Sequence, residues 1–429
     1  MVTADSADDH AIRRRAESRQ PVFVRKAVMI VFVVNCGSSS IKYQLFDMAG
    51  ESVLAKGLME RVGSDRAKLT HKFGDKTHAA QVHARDHDAG LRIILDALAD
   101  PKIGVISGID RIDGVGHRVV HGGEEITASS RIDQRVIEII RRNIELAPLH
   151  NPPNLAGIEA ALHAMPSVPQ VAVFDTAFLT TLPPKAYRYA VPEEWYTRHH
   201  VRKYGFHGTS HRYVTLRAAE LLEKSPEKIN LITVHLGNGC SMTAVSGGKA
   251  VDHSMGLTPL EGLIMGTRSG DVDPALVLHM IAHGLRRQEV AEGLNSGSGL
   301  LGVSGLSNDM RDCLAAAAAG NERAALAVEM FVYRVAKYIG SYFVAVTDLD
   351  AIVLTGGIGE NSAEVRRQVG RYLAPLGVIV DDARNQATVG GAHGPITTDA
   401  SKVPLLVVPT NEELMIARDT RGIVEGKTV

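Results

Sequence analysis

Three apolar, β-branched runs each end in a glycine-containing turn: Val28 to Val34 before Asn35-Cys36-Gly37, Leu231 to Leu236 before Gly237-Asn238-Gly239, and Ala351 to Thr355 before Gly356-Gly357-Ile358-Gly359. Runs of this kind read as buried strands, and a strand that ends in such a turn can bring backbone N–H groups against a phosphate. The first two segments are alike. After the first turn Ile41, Tyr43 and Leu45 alternate onto one face; after the second, Met242, Ala244 and Ser246 do so before Gly247-Gly248. A hairpin-and-loop unit occurring once in each half points to a duplicated domain. Apolar residues near a 3.6-residue spacing predict helices over 89–100, 132–146, 154–165, 210–224, 274–283, 321–346 and 361–372, the last capped by Asn361 or Ser362. Strands interleaved with helices throughout make an α/β architecture.

A chain of 429 residues exceeds what one hydrophobic core supports, so two domains with a cleft between them are expected, with the boundary near Phe178. With 45% hydrophobic and 22% charged residues the composition excludes extensive disorder and a membrane protein. A net charge of -1 gives no electrostatic case for nucleic acid or anionic lipid as partner. Cys36, Cys240 and Cys313 are odd in number and widely spaced, which argues against a disulfide framework or zinc knuckle and for a reduced, cytoplasmic setting. Arg13-Arg14-Arg15, the run Ala27 to Val34 and Cys36 mimic a secretion signal ending at a lipid-modified cysteine. That run is far shorter than the roughly 18 residues of a membrane span and leads straight into a polar Gly/Ser-rich segment, which favours a strand and its turn. Residues 1–26 carry mixed charge and little apolar periodicity, so a mobile extension is expected, with Met29 as an alternative natural start.

The chain has no G-x-x-x-x-G-K-[ST] loop, no H-E-x-x-H and no G-x-S-x-G, and Gly357-Ile358-Gly359 lacks the third glycine of a dinucleotide fingerprint. Other segments carry the chemistry. In Asn35-Cys36-Gly37-Ser38-Ser39-Ser40-Ile41-Lys42, backbone amides and hydroxyls could wrap phosphate oxygens with Lys42 adding charge; a polar turn is the equal alternative. Gly116-His117-Arg118-Val119-Val120-His121-Gly122-Gly123 sets an arginine among apolar neighbours, where a lone buried guanidinium is costly, so Arg118 either faces a cleft or makes a structural salt bridge. Ala147-Pro148-Leu149-His150-Asn151-Pro152-Pro153-Asn154 is a rigid turn before a helix. Phe174-Asp175-Thr176-Ala177-Phe178 places a carboxylate at a strand end, where it could equally cap a helix. Tyr204-Gly205-Phe206-His207-Gly208-Thr209-Ser210-His211 sets His207 at a helix start. Met265-Gly266-Thr267-Arg268-Ser269-Gly270-Asp271 holds an arginine poised for an anion. Thr410-Asn411-Glu412-Glu413-Leu414 opens the last helix with two acids, which complement a helix dipole or hold magnesium.

Together with Gly356-Gly357-Ile358-Gly359-Glu360-Asn361 and Asn308-Asp309-Met310-Arg311, these collinear segments resemble the acetate kinase family over roughly residues 30–425. The resemblance implies two duplicated domains of the ribonuclease H-like/actin-like ATPase fold, each with a βββαβα core, closing on an interdomain cleft. Residues 27–178 plus 413–429 would form the N-terminal domain and 179–412 the nucleotide-binding domain. It implies reversible, magnesium-dependent transfer of the ATP γ-phosphoryl to acetate, giving acetyl phosphate and ADP, with manganese able to replace magnesium and a homodimer as the usual assembly. Carried over by position, Arg118 and Arg268 would clamp the acetate carboxylate and the phosphoryl, His207 would hydrogen-bond the phosphoryl, and Asp175 would be the essential acid, as positioner or proton carrier. Asn35 and Glu412 would hold the metal. ATP would meet Lys42, His235, Leu236, Gly237, Asn238, Gly239, Asp309, Met310, Arg311, Gly357, Ile358, Gly359, Glu360 and Asn361. Val120, Leu149, Phe206 and Pro259, with His150, would surround acetate. Leu179-Thr180-Thr181-Leu182-Pro183, where the family commonly has His-Gln-Thr-Met-Pro, and Cys240, where a serine is frequent, depart from the pattern. The alternative within the reaction class is a propionate or other short-chain carboxylate kinase. From another class, an ATP-driven chaperone or filament protein on the same fold would not need two arginines converging on a small carboxylate.

Overall fold

The computed structural model describes residues 28–427; the expected extension over residues 1–26, Arg13-Arg14-Arg15 included, lies outside the described residues. Two sheets organise the chain. The first is built from β1 (Ile30–Gly37), β2 (Ser40–Asp47), β3 (Ser52–Glu60), β4 (Ser64–Phe73), β5 (Lys76–Ala84), β6 (Gly114–Val119), β7 (Ser130–Arg131) and β8 (Gln170–Phe174), in the order β5-β4-β3-β2-β1-β6-β8-β7. The second has β9 (Leu231–Leu236), β10 (Cys240–Ser246), β11 (Lys249–His253), β12 (Ala351–Thr355), β13 (Gly394–Pro395) and β14 (Leu405–Val407), in the order β11-β10-β9-β12-β14-β13.

The two sheets share one plan. In each, an antiparallel three-strand meander (β1-β2-β3, β9-β10-β11) is followed by two strands parallel to its first strand (β6 and β8, β12 and β14). Helices make the crossovers: His87–Ala99 and Asn151–Ala164 in the first half, Glu322–Tyr342 and Ala363–Leu373 in the second. This is the duplicated βββαβα topology. Parallel strands need both faces covered. Accordingly Phe32, Val34, Ile41 and Leu45 bury against Leu91, Ile94 and Ala161, and Val31, Val33, Val171 and Val173 against Leu414, Ile416 and Ala417 of the last helix, Glu412–Val424. In the second sheet Ile232, Val234, Ile352 and Leu354 meet Phe331, Val335 and Ile339, while Leu231, Val353 and Leu406 meet Val214 and Ala218 of helix Gly208–Leu221.

Two expected turns are replaced by regular structure. Asn35, Cys36 and Gly37 stay in β1, paired with Lys42, Ile41 and Ser40, so the hairpin turn is Ser38-Ser39. Gly356 to Asn361 form a short helix. Gly356 can start it because its φ is +77° and a Cβ there would stand 2.7 Å from the Leu236 carbonyl oxygen. Ser362 then caps helix Ala363–Leu373, its Oγ accepting from Val365 N at 3.3 Å.

The proline-rich turn does more than stiffen the chain. Helix Asn151–Ala164 opens with Pro152 and Pro153 in its first turn, where their missing N–H groups cost nothing. That fixes two buried asparagines against the end of β6. Asn154 accepts from Val120 N at 3.1 Å and donates to the Cys36 carbonyl at 2.8 Å; Asn151 accepts from His121 N at 3.2 Å and donates to the His121 and Ile140 carbonyls. Replacing Asn154 by Ala leaves two buried backbone groups unpaired, so unfolding in urea is expected to show a loss of about 2 kcal/mol. A loss below about 0.5 kcal/mol would mean that this staple does not hold the loop.

Candidate active site

β6 carries Arg118 to the sheet end beside β8, whose last residue is followed by Asp175. A guanidinium planar with a carboxylate makes the strong bidentate contact. Arg118 Nε and Nη2 donate to Asp175 Oδ1 and Oδ2 at 3.1 and 2.7 Å, with the Arg118 side chain 25% exposed and that of Asp175 only 2%. Both alternatives for Arg118 therefore hold: it is salt-bridged and still reaches open space. The Asp175 charge holds the Arg118 pKa up, against the opposing effect of burial. The Asp175 carbonyl accepts from Gly208 N at 2.8 Å, and a Cβ at Gly208 would come within 2.2 Å of that oxygen. Only glycine lets the start of helix Gly208–Leu221 close on this strand end.

That approach sets His207 at the helix start in a left-handed conformation, φ +59°. Its ring stacks on His235 with centroids 4.5 Å apart, and Nδ1 lies 2.9 Å from Ser241 Oγ. Burial, then the neighbouring His235 and Arg118, push its pKa well below the usual value, so it stays neutral. His235, held at 2.8 Å by Ser210, is pushed down to about 4 by burial and Arg118. A Cβ placed on Gly239 would lie 3.3 Å from His207 Cε1, 3.5 Å from His207 Nε2 and 3.6 Å from Arg268 Nη1. The bare Gly239 backbone is thus the floor between histidine and arginine. Arg268 is half-buried, donates to the Pro259 carbonyl at 3.3 Å, and has no carboxylate within ion-pairing distance among the described residues. Burial lowers its pKa. His150 is lowered first by burial and then by Arg118 and Arg268, which places it in the same field. Val120 and Phe206 are buried in one apolar cluster beside these groups. Leu149, expected among the apolar lining, is 74% exposed.

A second cavity of about 860 Å³ lies along the second sheet, lined by Gly237, Asn238, Asp309, Met310, Arg311, Gly357, Ile358 and Asn361 among the expected nucleotide contacts. Asn308, next to the expected Asp309, also lines it, as do Leu314, Ser362, Ala363, Glu364, Gln386 and Val389, which no motif in the sequence marks as contacts. His235, Leu236, Gly239, Gly359 and Glu360, also expected at the nucleotide, are not among its lining residues, and Glu360 is engaged elsewhere: its Oε1 accepts from Gly356 N at 2.9 Å and Thr410 N at 3.1 Å. One wall hangs on Arg366, a fully buried guanidinium whose donors all meet neutral acceptors: Asn385 Oδ1 and the carbonyls of Gly359, Glu360, Asn385 and Thr388. Lys42 is exposed on β2 and lines a separate groove of about 320 Å³ with Glu413, Lys56 and Lys72.

Glu412 stands between these features. Its Oε1 is buried without a hydrogen-bond partner, and its pKa is pushed up to about 7 by burial, with Asp175 and Glu413 adding to the shift and Arg118 and Lys42 opposing it. A buried, unsatisfied carboxylate oxygen is a fit for a cation. Among the described residues no group of three or more His, Cys, Asp or Glu is placed to hold a metal ion.

The chain matches the acetokinase family over residues 30–418. It is 54% identical over 399 residues to an acetate kinase of Thermotoga maritima, covering 92% of this chain and 99% of that one. It is 50% identical over 402 residues to an acetate kinase of Clostridium novyi, covering 94% of this chain and all of the relative. Among solved structures it resembles acetate kinase from Porphyromonas gingivalis (TM-score 0.89, 45% identity, 92% of this chain and 100% of that one). It also resembles a propionate kinase from Francisella tularensis (TM-score 0.86, 42% identity, 92% and 99%). With matches of this extent along the folded chain, the protein belongs to the acetokinase family.

Proposed function

We propose that this chain is an acetate kinase, transferring the γ-phosphoryl of ATP to acetate, reversibly, to give acetyl phosphate and ADP. Family membership supports ATP as the donor. The observation that carries the reading is Arg268: a half-buried guanidinium with no carboxylate partner, across the Gly239 backbone from a neutral histidine. An unpaired charge is retained at such a cost where an anion will meet it. A carboxylate is already a nucleophile and needs no strong base. The protein must instead overcome repulsion between two anions and hold the attack in line. Arg118, oriented by Asp175, and Arg268 clamp acetate and the phosphoryl, and His207 donates to the phosphoryl oxygens as their charge redistributes. Transfer is direct, without a phosphoenzyme. Val120, Phe206 and Pro259 enclose the acetate methyl, and nucleotide lies in the cavity between Gly237-Asn238, Asp309 to Arg311 and Gly357 to Asn361.

Magnesium, bound by Glu412 and Asn35, supplies neutralisation of the phosphate charge when present. Residues 27–178 plus 413–429 and residues 179–412 act as two domains that close on the cleft, a division supported by the packing of Leu414, Ile416 and Ala417 onto the first sheet. The protein works as a homodimer through helix Ala275–Ala282, which buries none of its residues and leaves Leu278 71% exposed beside Leu276 and Ile281. The free Cys36, Cys240 and Cys313 support a reduced setting such as the cytoplasm.

Arg118→Ala and Arg268→Ala are each expected to lower kcat/KM at least roughly 100-fold, the scale of a lost transition-state donor. A loss under tenfold in both would remove the clamp. Comparing acyl phosphate formation from acetate, propionate and butyrate decides the acyl group: a higher kcat/KM for propionate would move the assignment to the activity named for the Francisella tularensis relative. For the metal, the raised Glu412 pKa means that the folded state holds a proton which the unfolded state has released between the ordinary 4.5 and about 7. Stability from this group is therefore present at low pH and falls as pH rises through that window. Melting of metal-free protein should show Glu412→Gln gaining on the wild type from about pH 5 to pH 7.5, with magnesium closing the gap in the wild type alone. A gap independent of both pH and magnesium would rule out Glu412 as the ligand. Leu278→Asp should convert a dimer to monomer in light scattering; an unchanged mass would place the interface elsewhere.

A further inference from the structure

The two halves of the chain meet helix against helix. Helix Gly208–Leu221 covers the second sheet, helix Glu412–Val424 covers the first, and the two pack on each other. Each starts at a residue of the site: His207 directly precedes the one, and Glu412 opens the other. The angle at which these helices cross therefore decides where the two side chains stand relative to one another. Apolar contact, to which Tyr213 contributes by lying against both clusters, sets that angle only loosely, because burial is non-directional.

Two polar ties supply the direction. At the helix starts, Ser210 Oγ lies 2.8 Å from Thr410 Oγ1. About two turns into the second helix, Asp419 accepts from Arg212 Nη1 and Nη2 at 2.8 and 3.0 Å and from Ser129 Oγ at 2.6 Å. The Asp419 side chain is only 1% exposed, so water does not compete for these bonds. One tie would leave a pivot; two, set apart along the helix, fix the crossing. Among the described residues, ion pairs join residues 27–178 and 413–429 to residues 179–412 at one other place, Glu124 with His200 and Arg202, and none of those three is on either helix. A buried ion pair is often no more stabilising than apolar side chains of similar size, and fixing register is its best-attested use.

We infer that Arg212 and Asp419 are positioning residues for phosphoryl transfer: their ion pair fixes how the helix that follows His207 crosses the helix that Glu412 opens, and so holds the phosphoryl donor in place against the metal-binding carboxylate. The inference rests on the roles given to His207 and Glu412 under the proposed function. Arg212 and Asp419 bond to each other and to Ser129, not to the reacting groups. Their effect is on alignment, where a misplacement of about 1 Å caused far from the chemistry can cost roughly 100-fold in rate.

The test replaces the pair whole, as Arg212→Met/Asp419→Leu, so that no buried charge is left unpaired; Ser129, half-buried, can turn to water. A merely structural role predicts the wild-type rate whenever the variant melts like the wild type. Positioning predicts a melting temperature at or above that of the wild type with kcat lowered roughly tenfold and KM for acetate and for ATP within about twofold. A kcat loss below about threefold at unchanged melting overturns the inference. Should the double variant fold poorly, Arg212→Lys, which keeps the charge but gives up the paired fork, decides instead. A kcat at least roughly threefold lower at unchanged KM upholds the inference, and a smaller loss overturns it. His207→Ala separates this inference from the reading beneath it: a large loss there beside an unaffected double variant strikes the ion pair's role alone, whereas an unchanged kcat removes the donor role of His207 and the inference with it.

Discussion

The Arg118–Asp175 ion pair is the joint on which the site depends. It is made between the ends of two neighbouring parallel strands, so the sheet itself holds the pair in register. The same aspartate then reaches across to the second half through its backbone carbonyl and Gly208 N. One residue thus orients an arginine and anchors the helix that presents His207. Asn151 and Asn154 fix the adjacent loop from behind, leaving the Arg118 guanidinium as the part of the joint that can meet a ligand.

The electrostatics follow from where charge is left uncompensated. Among the described residues Arg118 is ion-paired and Arg268 is not, and the histidines around them are held neutral by burial. Positive charge is therefore concentrated on two rigid guanidinium groups and is not spread over titrating rings. A neutral histidine can still donate a hydrogen bond, and it adds no pH-dependent charge to the field. Glu412, with one oxygen buried and unsatisfied, is the complementary feature on the anionic side. Under the proposed function, these groups would meet two anions and a cation, the charge balance of phosphoryl transfer to a carboxylate.

Much of this was legible in the sequence, and the reasons for the gaps are physical. The strands Leu231–Leu236 and Ala351–Thr355 stand at their expected residues because both are buried on two sides and are dominated by apolar, β-branched residues. β4 and β5 escaped notice because both are largely exposed, with lysines, threonines and histidines along them. The duplication is weak in the two hairpins alone, yet the five core strands, β3-β2-β1-β6-β8 and β11-β10-β9-β12-β14, follow the same order in both halves; pairing between distant strands leaves little trace in local pattern. At the site, Arg118, Asp175, His207 and Arg268 stood out because charged or polar residues interrupt apolar or glycine-rich segments. Ser241, which contacts His207, did not, since a hydroxyl inside a strand looks like any other strand residue until its partners are known. Leu149 is expected in the pocket lining only through the family resemblance, and in the structure it is largely exposed.

The central claim is direct, in-line transfer between two anions held by arginines, and the stereochemical course at phosphorus tests it most directly. With ATP made chiral at the γ-phosphorus by oxygen isotopes, a single transfer to acetate should yield acetyl phosphate with inverted configuration. Retention would require two successive displacements, and hence a phosphorylated enzyme group, contradicting a site that works by positioning and charge alone.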